Sequence, residues 1–212
     1  MSLLLSPPDP RGVLLFAPGA GGDPSRYRRL LEAVCDAGFV VAATEHELLD
    51  RRTATPAALR ARVADLRAPL EWFDPELPVV VAGHSAGGWA ALCLLGAAAH
   101  DRQGRELDTP TEPRIARGVL IAPATAMFGD AEAVRSVSAE LTVLVGTHDD
   151  VTPPETAAVL HATGGPVRVH RYEGVGHFDF MWPLPDDERP TPGLDREAFY
   201  RRLVRDVVEA LG

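Results

Sequence analysis

Five short runs of apolar, largely branched residues constrain this chain more than any other feature. They are Val13 to Phe16, Phe39 to Ala43, Val79 to Ala82, Val119 to Ile121 and Val143 to Val145. None alternates apolar with polar positions, so each predicts a strand covered on both faces, as in a parallel sheet. A sixth run, Val167-Arg168-Val169-His170, does alternate and predicts a half-exposed edge strand.

Helical patterns separate the runs. Asp23 and Pro24 supply an N-cap and a preset first turn, and Gly38 closes a segment in which Tyr27, Leu30, Leu31, Val34 and Cys35 form one apolar stripe. Thr55-Pro56 opens a second helix, with Leu59, Val63, Leu66 and Leu70 on its buried face. A third starts at Ser85 and runs through Trp89, Leu92 and Leu95. A fourth follows Pro153-Pro154 and stops near Gly164-Gly165. The last runs from about Asp195 and carries Phe199, Leu203, Val207 and Leu211. This alternation predicts an α/β fold with a doubly wound, mainly parallel sheet. Ligands of such sheets sit beyond the carboxyl ends of the strands, so the residues just after each strand are the ones to read for chemistry.

The 212 residues, 46% of them hydrophobic, suffice for one sizeable core and favour a single domain over residues 1–212. The stretches 101–114 and 183–193 are polar and contain proline, and read as loops inside that domain. A net charge of -9 argues against nucleic acid or an anionic membrane surface as partner. No run approaches the length of a membrane span, and Leu3 to Leu5 is too short for a signal-peptide core. Cys35 and Cys93 both fall in helical segments, so no disulfide framework is expected, and the default location is the cytoplasm.

The strand Val79 to Ala82 runs into Gly83-His84-Ser85-Ala86-Gly87-Gly88, after which a helical pattern begins. This is G-x-S-x-G in a strand–turn–helix context, where a sharp, strained turn lifts a serine hydroxyl above the sheet. A serine nucleophile needs a base, and the base an orienting acid. Val143 to Val145 leads into Gly146-Thr147-His148-Asp149-Asp150, which offers two carboxylates just past a strand end. After the alternating strand comes Gly174-Val175-Gly176-His177-Phe178, a histidine in a glycine-flanked loop. The chain order serine, acid, histidine is the one this turn motif requires.

Val13 to Phe16 ends in Ala17-Pro18-Gly19-Ala20-Gly21-Gly22, small residues that let backbone N–H groups approach a substrate carbonyl. The amide of Ala86 is the second expected donor. The rival reading is a phosphate loop, but no Gly-Lys-Ser/Thr follows and the spacing is not G-x-G-x-x-G. His84 reads as a packed strand-end residue that could tune the pocket. His46, between two glutamates, and His148, before two aspartates, lack a second metal ligand at suitable spacing. His100, His161 and His170 read as surface positions. No metal or cofactor is expected.

On Pro18-Gly19-Ala20, Gly83 to Gly88, Gly146 to Asp149 and Gly176-His177, the chain resembles the α/β-hydrolase superfamily over nearly its full length. The flavour is that of the dienelactone-hydrolase, cutinase-like and chlorophyllase-like branches. The resemblance implies a carboxylic ester hydrolase with Ser85 as nucleophile, Asp149 rather than Asp150 as acid, His177 as base and the Ala20 amide as first oxyanion donor. It implies a small-molecule ester-type substrate. Thioesterase, amidase or acyltransferase chemistry with the same triad, and a noncatalytic binding protein of the same fold, are the alternatives.

Two departures from the family pattern shape the expectations: the first strands are truncated, and the cap is reduced to about residues 123–138. Met127 and Phe128 in that stretch either line an acyl pocket or pack the core. Phe178, Phe180, Met181 and Trp182 directly follow the candidate base, too apolar for a solvated loop. Phe178 and Met181 are the candidates for a wall of the substrate cleft, with packing of the last helix as the other reading.

Overall fold

A computed structural model describes residues 3–50 and 52–212. Its centre is a seven-stranded sheet. The strands are β1 (Leu3–Leu5), β2 (Gly12–Ala17), β3 (Phe39–Ala43), β4 (Val79–His84), β7 (Ile115–Ile121), β8 (Glu140–Gly146) and β9 (Val167–Tyr172). A separate two-stranded ladder joins β5 (Ala99–His100) to β6 (Glu106–Leu107). Across the main sheet the order is β1-β3-β2-β4-β7-β8-β9, and every pairing is parallel except that of β1 with β3. The helices are α1 (Arg28–Asp36), α2 (Pro56–Arg67), α3 (Ala86–Leu94) and α4 (Arg196–Leu211).

Successive side chains of the inner strands leave opposite faces of the sheet and enter two different cores. On one face Val13, Leu15, Val79, Val81 and Val143 pack with Leu59, Val63 and Leu66 of α2 and with Trp89 and Leu92 of α3. On the other, Leu14, Phe16, Val80, Ala82 and Leu144 meet Leu30, Leu31 and Val34 of α1 and Phe199, Leu203 and Val207 of α4. Each fully buried Leu or Val contributes about 1.5–3 kcal/mol over its exposed state. This two-sided burial is why those strands are apolar without alternation. Helix α3 lies under the sheet with all nine residues buried, so it carries no polar stripe. β9 lies at the edge, where Val169 is exposed and Tyr172 is buried.

The structure corrects four local expectations. Leu3–Leu5 forms a short antiparallel edge strand on β3, pairing Leu4 with Ala42. The segment 101–114 is not wholly loop, because β6 lies within it and closes a hairpin with β5. The segment after Pro153-Pro154 is a 3-10 helix, Pro154–Ala162, rather than an α-helix. The helix expected from Pro24 begins as a 3-10 turn, Pro24–Tyr27, capped by the Asp23 carboxylate, and becomes α-helical at Arg28. Between β7 and β8 the reduced cap consists of two short 3-10 turns, Thr125–Met127 and Glu132–Val134. No helix among the described residues is long and apolar enough to cross a membrane.

Candidate active site

Ser85 follows β4 and precedes α3 with φ 55° and ψ -118°, a conformation that costs a non-glycine residue about 1–3 kcal/mol. The surroundings enforce it. Its N–H donates to Ile121 O at 2.9 Å, and its own carbonyl accepts the N–H groups of Ala124 at 3.0 Å and Trp89 at 3.2 Å. The turn is packed backbone against backbone. A Cβ at Gly83 would stand 2.3 Å from Gly87 O, and one at Gly87 would stand 2.0 Å from Ala17 O. The two glycines of the motif are therefore demanded by close approach, which presses the end of β2 onto the start of α3.

At the ends of β8 and β9 the loops bring two other candidates together. His177 Nδ1 lies 2.8 Å from Asp149 Oδ2, both side chains buried. The second carboxylate oxygen of Asp149 accepts the backbone N–H groups of Val151 at 3.0 Å and Thr152 at 2.7 Å. That leaves Oδ2 to receive the imidazole proton. Asp150 is exposed, so the structure separates the two adjacent carboxylates that chain order alone leaves equivalent. Among the described residues, Ser85 Oγ has no hydrogen bond to His177; catalytic contacts of this kind commonly tighten only when substrate is bound.

Several residues around the pair carry no conspicuous motif. Thr152 Oγ1 lies 2.9 Å from Asp149 Oδ2, 3.1 Å from His177 Nδ1 and 3.0 Å from Ala122 O. Its single proton can go to either Asp149 Oδ2 or Ala122 O, so the hydroxyl sits between the acid and the end of β7. Asp149-x-x-Thr152 was the available signal, a short polar pair that closes its own turn. Asp179 is buried, accepts the N–H of Gly176 at 2.9 Å and of Thr191 at 3.3 Å, and lies 3.5 Å from Arg196 Nε. It anchors the histidine turn to the loop before α4. A carboxylate between two phenylalanines was the hint.

The small-residue loop after β2 is held from several sides. Gly19 N–H donates to the Tyr27 hydroxyl at 3.2 Å, and Leu49 N–H donates to Ala20 O at 2.8 Å. The Tyr27 hydroxyl lies 2.8 Å from His84 Nδ1; donation there uses its proton and leaves that nitrogen unprotonated. The His84 ring is wholly buried, 4.6 Å from that of His177. Burial, reinforced by His177, holds its pKa well below the ordinary histidine range, so it is neutral. The N–H groups of Ala20 and Ala86 donate to no protein acceptor among the described residues. A Cβ at Gly19 would lie 3.6 Å from Ser85 Cβ, so this loop borders the serine.

The apolar candidates divide. Phe178 and Met181 line a cleft of about 370 Å3 together with Pro18, Gly19, Tyr27 and Leu48. Phe178 also borders a second opening, of about 500 Å3, beside His177 and Thr191. Phe180 and Trp182 point the other way, onto Phe199 and Tyr200 of α4, with ring centroids 5.4 and 5.2 Å apart. Phe128 is buried in the core against Trp89. Met127 lines a smaller cavity of about 190 Å3 with Leu49, Leu59 and His100.

The other histidines need correction too. Of the three expected at the surface, His100 and His170 are half-buried, the latter 3.6 Å from Asp206, and His161 is exposed. The His46 side chain is buried, and burial with the nearby Arg62 pushes its pKa down to about 3. No cluster of three metal-ligating side chains occurs among the described residues.

No protein-family model matches the chain, and no curated protein matches it in sequence. Solved structures do match. A propionate-bound esterase from the Planctomycetes species Thermogutta terrifontis matches with TM-score 0.61 and 19% identity, over 99% of this chain and 88% of that one. Esterase 2 of Thermogutta terrifontis phosphorylated by paraoxon gives 0.62, with the same identity and coverage. The monoacylglycerol lipase of Paleococcus ferrophilus gives 0.66 at 17% identity, over 98% of each chain. With the parallel sheet and the serine turn between β4 and α3, these full-length likenesses assign the chain the α/β-hydrolase fold.

Proposed function

We propose that the chain is a single-domain serine hydrolase that cleaves carboxylic esters through an acyl-enzyme on Ser85. The observation that carries this reading is the buried 2.8 Å contact between Asp149 and His177, together with a strained turn that holds Ser85 directly after His84, whose ring lies 4.6 Å from that of His177. His177 Nε2 takes the Ser85 proton as Oγ attacks the ester carbonyl, and the Nδ1 proton stays on the Asp149 side. The developing oxyanion is met by the N–H groups of Ala20 and Ala86. Collapse breaks the bond to the alcohol, which leaves with the proton carried by His177. Water, activated by the same base, then releases the acid and restores Ser85.

The cleft lined by Phe178 and Met181 offers an apolar wall to one group of a small ester. The Thermogutta terrifontis enzyme binds propionate and butyrate and reacts with paraoxon, which supports short acyl esters as the first substrates to try. The free thiols of Cys35 and Cys93 fit a reducing compartment, and we assign the protein to the cytoplasm.

The test is a panel of p-nitrophenyl esters of increasing acyl length, run with wild type and Ser85→Ala, plus labelling by a fluorophosphonate probe. Wild type is expected to turn over the panel and carry the label on Ser85; Ser85→Ala is expected to lose about a million-fold in kcat. A variant that keeps more than about a few per cent of the activity removes Ser85 as nucleophile. Folded wild type that neither reacts nor labels is a binding protein instead.

A further inference from the structure

Arg62 stands out as a charge on an apolar face. It falls between Leu59, Val63 and Leu66 on the buried side of α2, and it is only 3% exposed. A buried guanidinium ordinarily demands a carboxylate partner. Arg62 forms no salt bridge among the described residues. Its donors go to backbone carbonyls: Nη1 donates to Pro18 O and Gly19 O, each at 3.1 Å, and Nη2 donates to Glu47 O at 3.2 Å.

Two of those three carbonyls belong to the loop beside Ser85. The Gly19–Ala20 peptide is trans, so its carbonyl and its N–H point in opposite directions. Gly19 O is fixed on one side by Arg62 Nη1 and by Gly22 N–H at 3.0 Å. The Ala20 N–H is thereby turned the other way, and it is the donor left without a protein acceptor. We propose that Arg62 positions the oxyanion hole, aiming the Ala20 N–H by holding the carbonyl of the same peptide and placing a positive charge behind it. This rests on the serine-hydrolase reading above and adds to it a positioning residue outside the triad.

The charge has a second effect. A cation bonded to the carbonyl of a peptide polarises that peptide, so its N–H becomes a stronger donor in a water-poor site. Burial lowers the Arg62 pKa to about 10, against the opposing influence of Tyr27 and Asp65, and the group remains charged at neutral pH. Tyr27, which takes the Gly19 N–H, holds the neighbouring peptide of the same loop.

Arg62→Met and Arg62→Lys test the assignment. Each protein is titrated to completion with a fluorophosphonate, so that kcat is expressed per reactive Ser85 and misfolded protein is not counted. Arg62→Met is expected to lose about tenfold to a hundredfold in kcat per site, with KM little changed, somewhat less than removal of an oxyanion donor itself. Affinity for a trifluoromethyl ketone, whose adduct with Ser85 carries an oxyanion, is expected to fall in parallel. Arg62→Lys keeps the charge but cannot span three carbonyls, and is expected to lose less; should the Met variant fail to fold, the Lys variant carries the test. Per-site kcat and ketone affinity within about a factor of two of wild type in the folded variants overturn the proposal. Wild type that fails to label overturns the hydrolase reading instead, so the two failures are told apart.

Discussion

Gly87→Ala tests how tightly the serine turn is built. The Cβ it adds would stand 2.0 Å from the carbonyl oxygen of Ala17 and 2.6 Å from that of Pro18, where ordinary contact begins near 3.4 Å. Both neighbours are backbone, so no side-chain rotation relieves the overlap, and α3 and the end of β2 must part by about 1 Å or more. Overpacking costs about 1–3 kcal/mol, and a clash between backbones belongs at the upper end. About 3 kcal/mol corresponds to a fall of ~6–12 °C in melting midpoint for a chain of this size. The displacement also moves the Pro18–Ala20 loop away from Ser85, and a misplacement of about 1 Å costs on the order of a hundredfold in rate. Thermal melting by circular dichroism and kcat/KM on an activated short-chain ester measure the two effects. Gly21→Ala is the control, since in the same loop its Cβ meets nothing within 4 Å, and it is expected to melt with wild type. If Gly87→Ala melts with Gly21→Ala and retains full activity, the close-packed turn does not have the role assigned to it.

Asp149→Asn is expected to lower kcat by about ten-thousand-fold through the wrong imidazole tautomer, and the exposed Asp150→Asn to change it little; equal losses in ester turnover would contradict the pairing with His177. Phe178→Ala or Met181→Ala is expected to shift acyl-length preference by about 1–3 kcal/mol, whereas an unchanged profile with a lowered melting midpoint assigns both residues to the core. His46 has its pKa pushed down to about 3 in the fold, against about 6.5 for an ordinary histidine. Between those values the unfolded chain binds a proton that the folded chain does not. Stability contributed by neutral His46 is therefore full above about pH 6.5 and declines as pH falls toward 3. Urea midpoints at pH 7 and pH 5 are expected to differ less in His46→Gln than in wild type, and an identical difference refutes the linkage.

The order of strands and helices was legible because it rests on local periodicity. A strand buried on both faces must be apolar at every position, and Val13 to Phe16 or Val79 to Ala82 can hardly be anything else. The candidate nucleophile and base were legible for a related reason: a serine between glycines after a strand, and a histidine between a glycine turn and an apolar run, are signatures of turn geometry. Short-range signals misled where tertiary packing outweighed them. Leu3–Leu5 became a strand only because β3 offered it an edge. Pro153-Pro154 opened a 3-10 helix where an α-helix was expected.

What the tertiary structure alone decided is which distant groups meet. Asp149 and Asp150 are neighbours at the same strand end; the family resemblance pointed to Asp149, and the close approach of the β8 and β9 loops is what brings its carboxylate to His177. Phe178 and Met181 face the cleft while Phe180 and Trp182 face α4, because the short turn at His177–Phe180 sends successive side chains to different sides. Tyr27 and His84 are 57 residues apart, and Arg62 reaches a loop more than 40 residues away. Periodicity marks a residue as buried but does not say against what. The partner of a buried charge or hydroxyl is set by the register and crossing of the elements that carry it, and for Arg62 that partner is the backbone of the loop beside Ser85.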